Sequence, residues 1–145
     1  MQLTERIPDC NGCGTCVLGC KYFCVKMEKT DIGCRPVVNE DGCQKCNNCI
    51  LYCPLFMPVD MPEFDRYYEY NPEYDNRDMP EIYRQTLRQA KTGAMTNFVG
   101  TLCEIAGLIS LMGDKLKPNV NVYPIHCDQN NPKRPACEAC TLIKR

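Results

Sequence analysis

The chain has no tryptophan and one histidine, His126, among its 145 residues. A lone histidine excludes most arrangements in which an imidazole activates a nucleophile or acts as one of a pair of general bases. The sequence also has no glycine-rich phosphate loop and no dinucleotide fingerprint, so no catalytic constellation is visible. Residues 1 to 30 lack the succession of basic start, apolar core and small-residue cleavage site, and no secretory leader is expected. Residues 94 to 112 are the most apolar stretch. They carry Asn97, Thr101, Glu104 and Ser110, which makes them too polar for an isolated membrane span. Eleven prolines and nine glycines point to a small metalloprotein rather than a large hydrophobic globule. What the chain does have is fourteen cysteines. Without a leader they imply a reducing compartment, the cytoplasm, and sensitivity to oxygen.

Eight of the fourteen fall into two copies of one spacing: Cys10, Cys13, Cys16, Cys20, then Cys43, Cys46, Cys49, Cys53 followed by Pro54. A disulfide framework would require a secreted chain. Zinc sites use C-x2-C pairs, but four cysteines spaced by two, two and three residues, given twice, exceed what tetrahedral zinc needs. The run C-x2-C-x2-C-x3-C suits an iron-sulfur cluster.

Together with Ile7-Pro8-Asp9-Cys10-Asn11-Gly12-Cys13-Gly14-Thr15-Cys16 and Pro36-Val37-Val38-Asn39-Glu40-Asp41-Gly42-Cys43, the pattern resembles the bacterial ferredoxin domain with two [4Fe-4S] clusters, over roughly residues 5 to 56. Three thiolates on a tight loop wrap three corners of a cube and leave the fourth out of reach. The resemblance therefore implies crossed ligation: Cys10, Cys13, Cys16 and Cys53 for cluster 1, and Cys43, Cys46, Cys49 and Cys20 for cluster 2. Lys21 stands where such domains often have proline, and Asn47 and Asn48 replace the usual glycines. A Lys21 side chain aimed at the cluster would raise its potential, whereas a solvated one would not. Because ligation contributes folding free energy, the apo-protein is expected to be largely unfolded.

The fold class expected is α+β: a ferredoxin-like two-cluster domain at 1–56, an extended arm at 57–83, and a small helical, cysteine-containing C-terminal region at 84–145. Strands at 25–28 and 35–38 should pair across a turn near residues 30 to 33, and short helical turns should follow each cysteine triplet. The arm holds Pro58, Pro62, Pro72 and Pro80, five tyrosines (Tyr67, Tyr68, Tyr70, Tyr74, Tyr83), and eight acidic against two basic residues. Prolines break regular elements and tyrosines favour interfaces, so the arm lies either on a partner subunit or on its own ferredoxin domain. Residues 84 to 92 look helical up to Gly93. From Met95, Phe98, Val99, Leu102, Ile105, Ala106, Ile109 and Met112 recur at helical spacing until Gly113. The basic tail Lys133, Arg134, Lys144 and Arg145 offsets cluster charge or meets an acidic partner, and nucleic-acid binding is not expected.

Six cysteines remain. Cys103, Cys127, Cys137 and Cys140 can supply a third [4Fe-4S] cluster; zinc held by the same four, or by three of them with His126, is the alternative, and free structural thiols are the third. Cys24 and Cys34 suit packing as small hydrophobes, with ligation by Cys24 in place of Cys20 as the other option.

With no catalytic residues, the expected function is electron transfer through two or three clusters, to or from a catalytic subunit of a multi-subunit oxidoreductase. In architecture and size the chain resembles the small iron-sulfur subunits of tungsten and molybdenum enzymes of anaerobes, such as aldehyde oxidoreductases and class II benzoyl-CoA reductases. That implies a larger tungsten, molybdenum or flavin partner, no nucleic acid and no membrane span. A free soluble ferredoxin shuttle, and a ferredoxin with a structural zinc interaction module, are the alternatives.

Overall fold

The computed structural model describes residues 13–30, 33–46, 48–54, 59–69, 77–113 and 115–125. Helices and strands are mixed, with two small sheets, one antiparallel and one parallel. The elements are α1 (Thr15–Gly19), β1 (Val25–Thr30), β2 (Gly33–Val38), α2 (Asn48–Leu51), α3 (Met79–Lys91), β3 (Thr96–Gly100), α4 (Leu102–Leu111) and β4 (Val120–Pro124).

The first hairpin pairs β1 with β2 antiparallel, with Val25 opposite Val38. Both valines are buried and pack with Cys24 in a small core that also touches Cys16, Cys20, Cys43 and Cys49. Beta-branched residues suit such a half-buried pleated surface. The apolar end of the hairpin is thereby set beside the cysteine loops. Helix α1 begins inside the first cysteine run and α2 inside the second, and the two helices pack together.

The C-terminal region was expected to be helical, and it contains a sheet as well. Residues from Met95 do not form one helix: Thr96–Gly100 is a strand whose burial alternates, with Thr96, Phe98 and Gly100 inward, and only then does α4 begin. The break is chemical. The side chain of Glu104 reaches back to accept the Thr101 N–H at 2.9 Å, which starts a new helix at Leu102. After α4 the chain returns in β4, parallel to β3, with Thr96 opposite Val120, so that 96–124 form a β-α-β unit. Helix α3 starts at Met79, within the stretch read as arm. Asp78 caps it by accepting from the Glu81 N–H, and Pro80 sits in its first turn, where a missing N–H costs nothing. Its buried positions Met79, Tyr83, Thr86 and Ala90 recur at helical spacing and face the core.

That core is formed by Met79, Tyr83, Ala90, Phe98, Ile105, Leu108, Ile109 and Val120. The rings of Tyr83 and Phe98 stack at its centre, 5.8 Å between centroids. Helix α4 is buried on every side from Leu102 to Ser110, as expected for an all-round apolar helix at the middle of a unit. The described part of the arm, 59–69, packs on this core through Val59, Met61 and Phe64, and Tyr68 makes a parallel bridge to Ile125, its N–H donating to Pro124 at 2.8 Å. Those residues rest on the core that Leu18 of α1 also touches. Among the described residues, no helix is long and apolar enough to cross a membrane.

Candidate metal centres

The two cysteine runs meet where α1 and α2 pack. Gly19 makes this approach feasible: a Cβ there would stand 2.7 Å from the Tyr52 ring and 3.3 Å from the Cys49 Cα. The close contact delivers Cys20, the last cysteine of the first run, to the second run. One pocket is lined by Cys20, Cys43, Cys46 and Cys49, with Val25 and Val38 as its apolar wall. These are the four residues that crossed ligation assigns to cluster 2. Cys24 lines the same pocket as a fifth thiol.

Backbone donors point at two of these sulfurs. The Cys24 N–H donates to Cys20 Sγ at 3.4 Å, and the Lys45 N–H donates to Cys43 Sγ at 3.4 Å. Lys45 adopts a positive φ of 57° to do so. Burial opposes ionisation of Cys20, but backbone donors from Cys24 and Tyr22 and the Cys24 thiol outweigh it, so Cys20 is held below the usual thiol range. Burial, then repulsion from Cys20, pushes the Cys24 thiol up. The two neighbours are thus poised differently, Cys20 toward thiolate and Cys24 toward thiol. Of the pocket's lining residues, Cys46, Gln44, Lys45 and Tyr22 are exposed. Lys21 is exposed too, as its solvated alternative requires.

The residues expected for cluster 1 are set differently. Cys13 of the first run and Cys53 of the second are buried and Cys16 lies within α1; Cys10 lies outside the described residues. Cys13 Sγ is 3.5 Å from the Thr15 hydroxyl. The C-terminal unit closes over this loop. Tyr83, fully buried, donates its hydroxyl to the Cys13 carbonyl at 2.8 Å, and Thr15 packs against Gly107 of α4. Burial, with the neighbouring Cys13 and Glu104, raises the Tyr83 hydroxyl well above its ordinary range and keeps it a donor.

Cys103 is buried at the start of α4, with Sγ 2.9 Å from the Thr101 hydroxyl. Cys127, Cys137, Cys140 and His126, its companions in the expected third site, lie outside the described residues. Cys34 falls on β2 as expected. The nine cysteines with described side chains form no disulfides. Among the described residues, no three histidine, cysteine, aspartate or glutamate side chains converge tightly enough to hold one metal ion; the thiols ring the pocket instead of meeting at a point.

The C-terminal contribution to the first loop was not visible in the sequence, because nothing about an isolated Tyr83 or Gly107 announces a partner some seventy or ninety residues away. Compared with known proteins, the chain matches no family model, no curated protein and no solved structure.

Proposed function

We propose that this chain is an electron-transfer protein that holds two [4Fe-4S] clusters, and that it serves as the iron-sulfur subunit of a larger oxidoreductase. The observation that carries the proposal is the pocket in which Cys20 of the first run joins Cys43, Cys46 and Cys49 of the second. Crossed ligation needs that meeting, and spacing within either run alone cannot supply it. The donor set fits the group: four thiols, an apolar wall of Val25 and Val38, and amide donors to Cys20 and Cys43.

A cluster bound there supplies one-electron redox chemistry. The chain's own residues provide its setting. The thiolates of Cys20, Cys43, Cys46 and Cys49 would hold it; the N–H groups of Cys24 and Lys45 spread the negative charge on two of those sulfurs, which favours the reduced state. The valines exclude water on one side, while the exposed mouth leaves an approach for a redox partner on the other. Cys13, Cys16 and Cys53, with Cys10, would hold the first cluster beneath the C-terminal unit. Its third site, from Cys103, Cys127, Cys137 and Cys140, remains part of the proposal as a cluster or a zinc.

The C-terminal unit favours a subunit over a free shuttle. It has its own apolar core and is packed onto the first loop through Tyr83 and Thr15, which is more structure than holding two clusters requires. The test is anaerobic purification from the native source under non-denaturing conditions. Co-purification with a larger tungsten, molybdenum or flavin subunit supports the proposal; a stable iron-bearing monomer sinks the subunit part and leaves the shuttle.

A further inference from the structure

Thr15 is a polar side chain in a buried place. Its hydroxyl lies 3.5 Å from Cys13 Sγ, and with Thr15 1 % and Cys13 7 % exposed no water can take its place there. A thiolate that ligates iron carries no proton, which leaves the hydroxyl as the donor. A hydrogen bond to a ligating sulfur stabilises the more negative, reduced state and so raises the potential. Burial acts the other way, because a dry site disfavours added charge.

Three successive residues of the first loop are held by helices that lie far along the chain. The Cys13 carbonyl accepts the Tyr83 hydroxyl at 2.8 Å. Gly14 keeps a left-handed φ of 84°, and a Cβ there would stand 3.2 Å from Pro80 Cδ, in the first turn of α3. The Thr15 Cγ2 methyl fills the space that Gly107 of α4 leaves by having no side chain. A β-branched side chain has few rotamers, so a methyl lodged against Gly107 fixes where the hydroxyl points. Valine has nearly the same shape and would fill the slot equally well; the hydroxyl is what valine lacks.

We infer that Thr15 sets the potential of the first cluster by donating its hydroxyl to the Cys13 thiolate, and that Gly107 of α4 is the positioning residue that aims it. This rests on the reading, proposed above, that Cys13 ligates a [4Fe-4S] cluster. The C-terminal unit thereby acts on the redox level of that cluster as well as covering its loop. The hydroxyl keeps its proton in both oxidation states, and no bond forms or breaks as the cluster exchanges one electron with a redox partner.

The test is an anaerobic redox titration of the full chain, followed by electron paramagnetic resonance, with iron and acid-labile sulfide counted in every sample. The samples are native protein, Thr15→Val, Thr15→Ser, Thr15→Ala, Gly107→Ala and Gly107→Ala/Thr15→Ser. In Thr15→Val one reduction wave should move to lower potential while the other stays. At a fixed potential its reduced-to-oxidised ratio should fall about tenfold, which is about 59 mV for one electron. Thr15→Ser should keep the native value. Gly107→Ala should lower the same wave, and Gly107→Ala/Thr15→Ser should recover it. Where Thr15→Val holds less iron than the native chain, Thr15→Ala against Thr15→Ser decides, since both lack the methyl and only one has the hydroxyl. An unmoved wave in Thr15→Val, an equal fall in Thr15→Ser, or iron lost from both Thr15→Val and Thr15→Ala overturns the role of the hydroxyl. A native wave in Gly107→Ala, or no recovery in the double variant, overturns the part given to α4. If the native chain itself takes up no iron, it is the cluster reading that has failed.

Discussion

The hydroxyl of Tyr83, in α3, donates to the backbone carbonyl of Cys13, in the first cysteine loop, at 2.8 Å in a fully buried setting. This bond joins the two halves of the chain. Tyr83→Phe strands a buried carbonyl and should lower stability by about 1–3 kcal/mol in denaturant titration of the iron-loaded protein. If the first run holds the proposed cluster, its iron should also be released to a chelator faster than in the native chain. Unchanged stability and release would show the bond to be incidental.

The same tyrosine predicts a pH dependence. Burial first, then Cys13 and Glu104, raise its folded pKa well above the ordinary value, so the stability tied to its neutral form is complete below about pH 10 and declines as pH climbs beyond. Thermal melts between pH 8 and 11 should show a steeper alkaline loss for the native chain than for Tyr83→Phe. Parallel curves would contradict this.

Helix α4 reaches the first loop at Gly107. An added Cβ would collide with the Thr15 Cγ2 methyl and lie 3.1 Å from the Tyr83 hydroxyl. Gly107→Ala should therefore destabilise by about 1–3 kcal/mol despite alanine's better helix propensity. Adding Thr15→Ser removes the clashing methyl while keeping the hydroxyl near Cys13, and should restore part of the loss; simple additivity of the two changes would argue against direct contact.

Much of the cysteine-rich part was legible in the sequence, and the reasons are local. Val25 and Val38 sit in short β-branched segments on either side of a turn, and they pair as expected. The resemblance implied that Cys20 serves the second run, and in the structure Cys20 lines one pocket with Cys43, Cys46 and Cys49. Around Phe98 the spacing misled, because Phe98, Val99 and Leu102 satisfy a helical period as well as a strand followed by a helix. The signal that separates them is Thr101 with Glu104, a helix start placed in mid-segment. The start of α3 was announced likewise by Asp78, Pro80 and Glu81, which stood inside a stretch judged by its prolines, tyrosines and acidic excess. Cys24 packs with Val25 and Val38 as the small hydrophobe that its place at the start of β1 suggests.

Arg77 and Glu104 form a second tie within the C-terminal unit. The guanidinium donates to Glu104 Oε1 at 3.0 Å and to the Val99 carbonyl at 2.7 Å, and the same carboxylate oxygen takes the Thr101 N–H. Glu104 is nearly inaccessible, with 3 % of its side chain exposed. Arg77→Ala should cost about 3–5 kcal/mol by leaving a buried carboxylate without its countercharge, and Arg77→Ala/Glu104→Gln should cost less than Arg77→Ala alone. The reverse order in urea denaturation would show that the charge is not what matters.

Among the described residues, the apolar core of α3, β3, α4 and β4 contains no cysteine of the two runs, which refines the expectation that the apo-protein is largely unfolded. If the runs hold the proposed clusters, chelation of their iron should disorder the hairpin and cysteine loops, where ligation would supply much of the folding free energy, while the C-terminal unit persists. Hydrogen exchange on the full chain should then show protection lost at 13–54 and retained at 79–124. Uniform loss across the chain would mean that the C-terminal unit depends on the clusters too.

The central claim is that the two cysteine runs hold iron-sulfur clusters, and a metal and sulfide count on the anaerobically isolated chain tests it most directly. About eight irons with eight acid-labile sulfides per chain are predicted for the two runs, or about twelve of each if the C-terminal cysteines hold a third cluster, with a reduced-state resonance typical of [4Fe-4S] centres. Zinc in place of iron, or iron without sulfide, would contradict it.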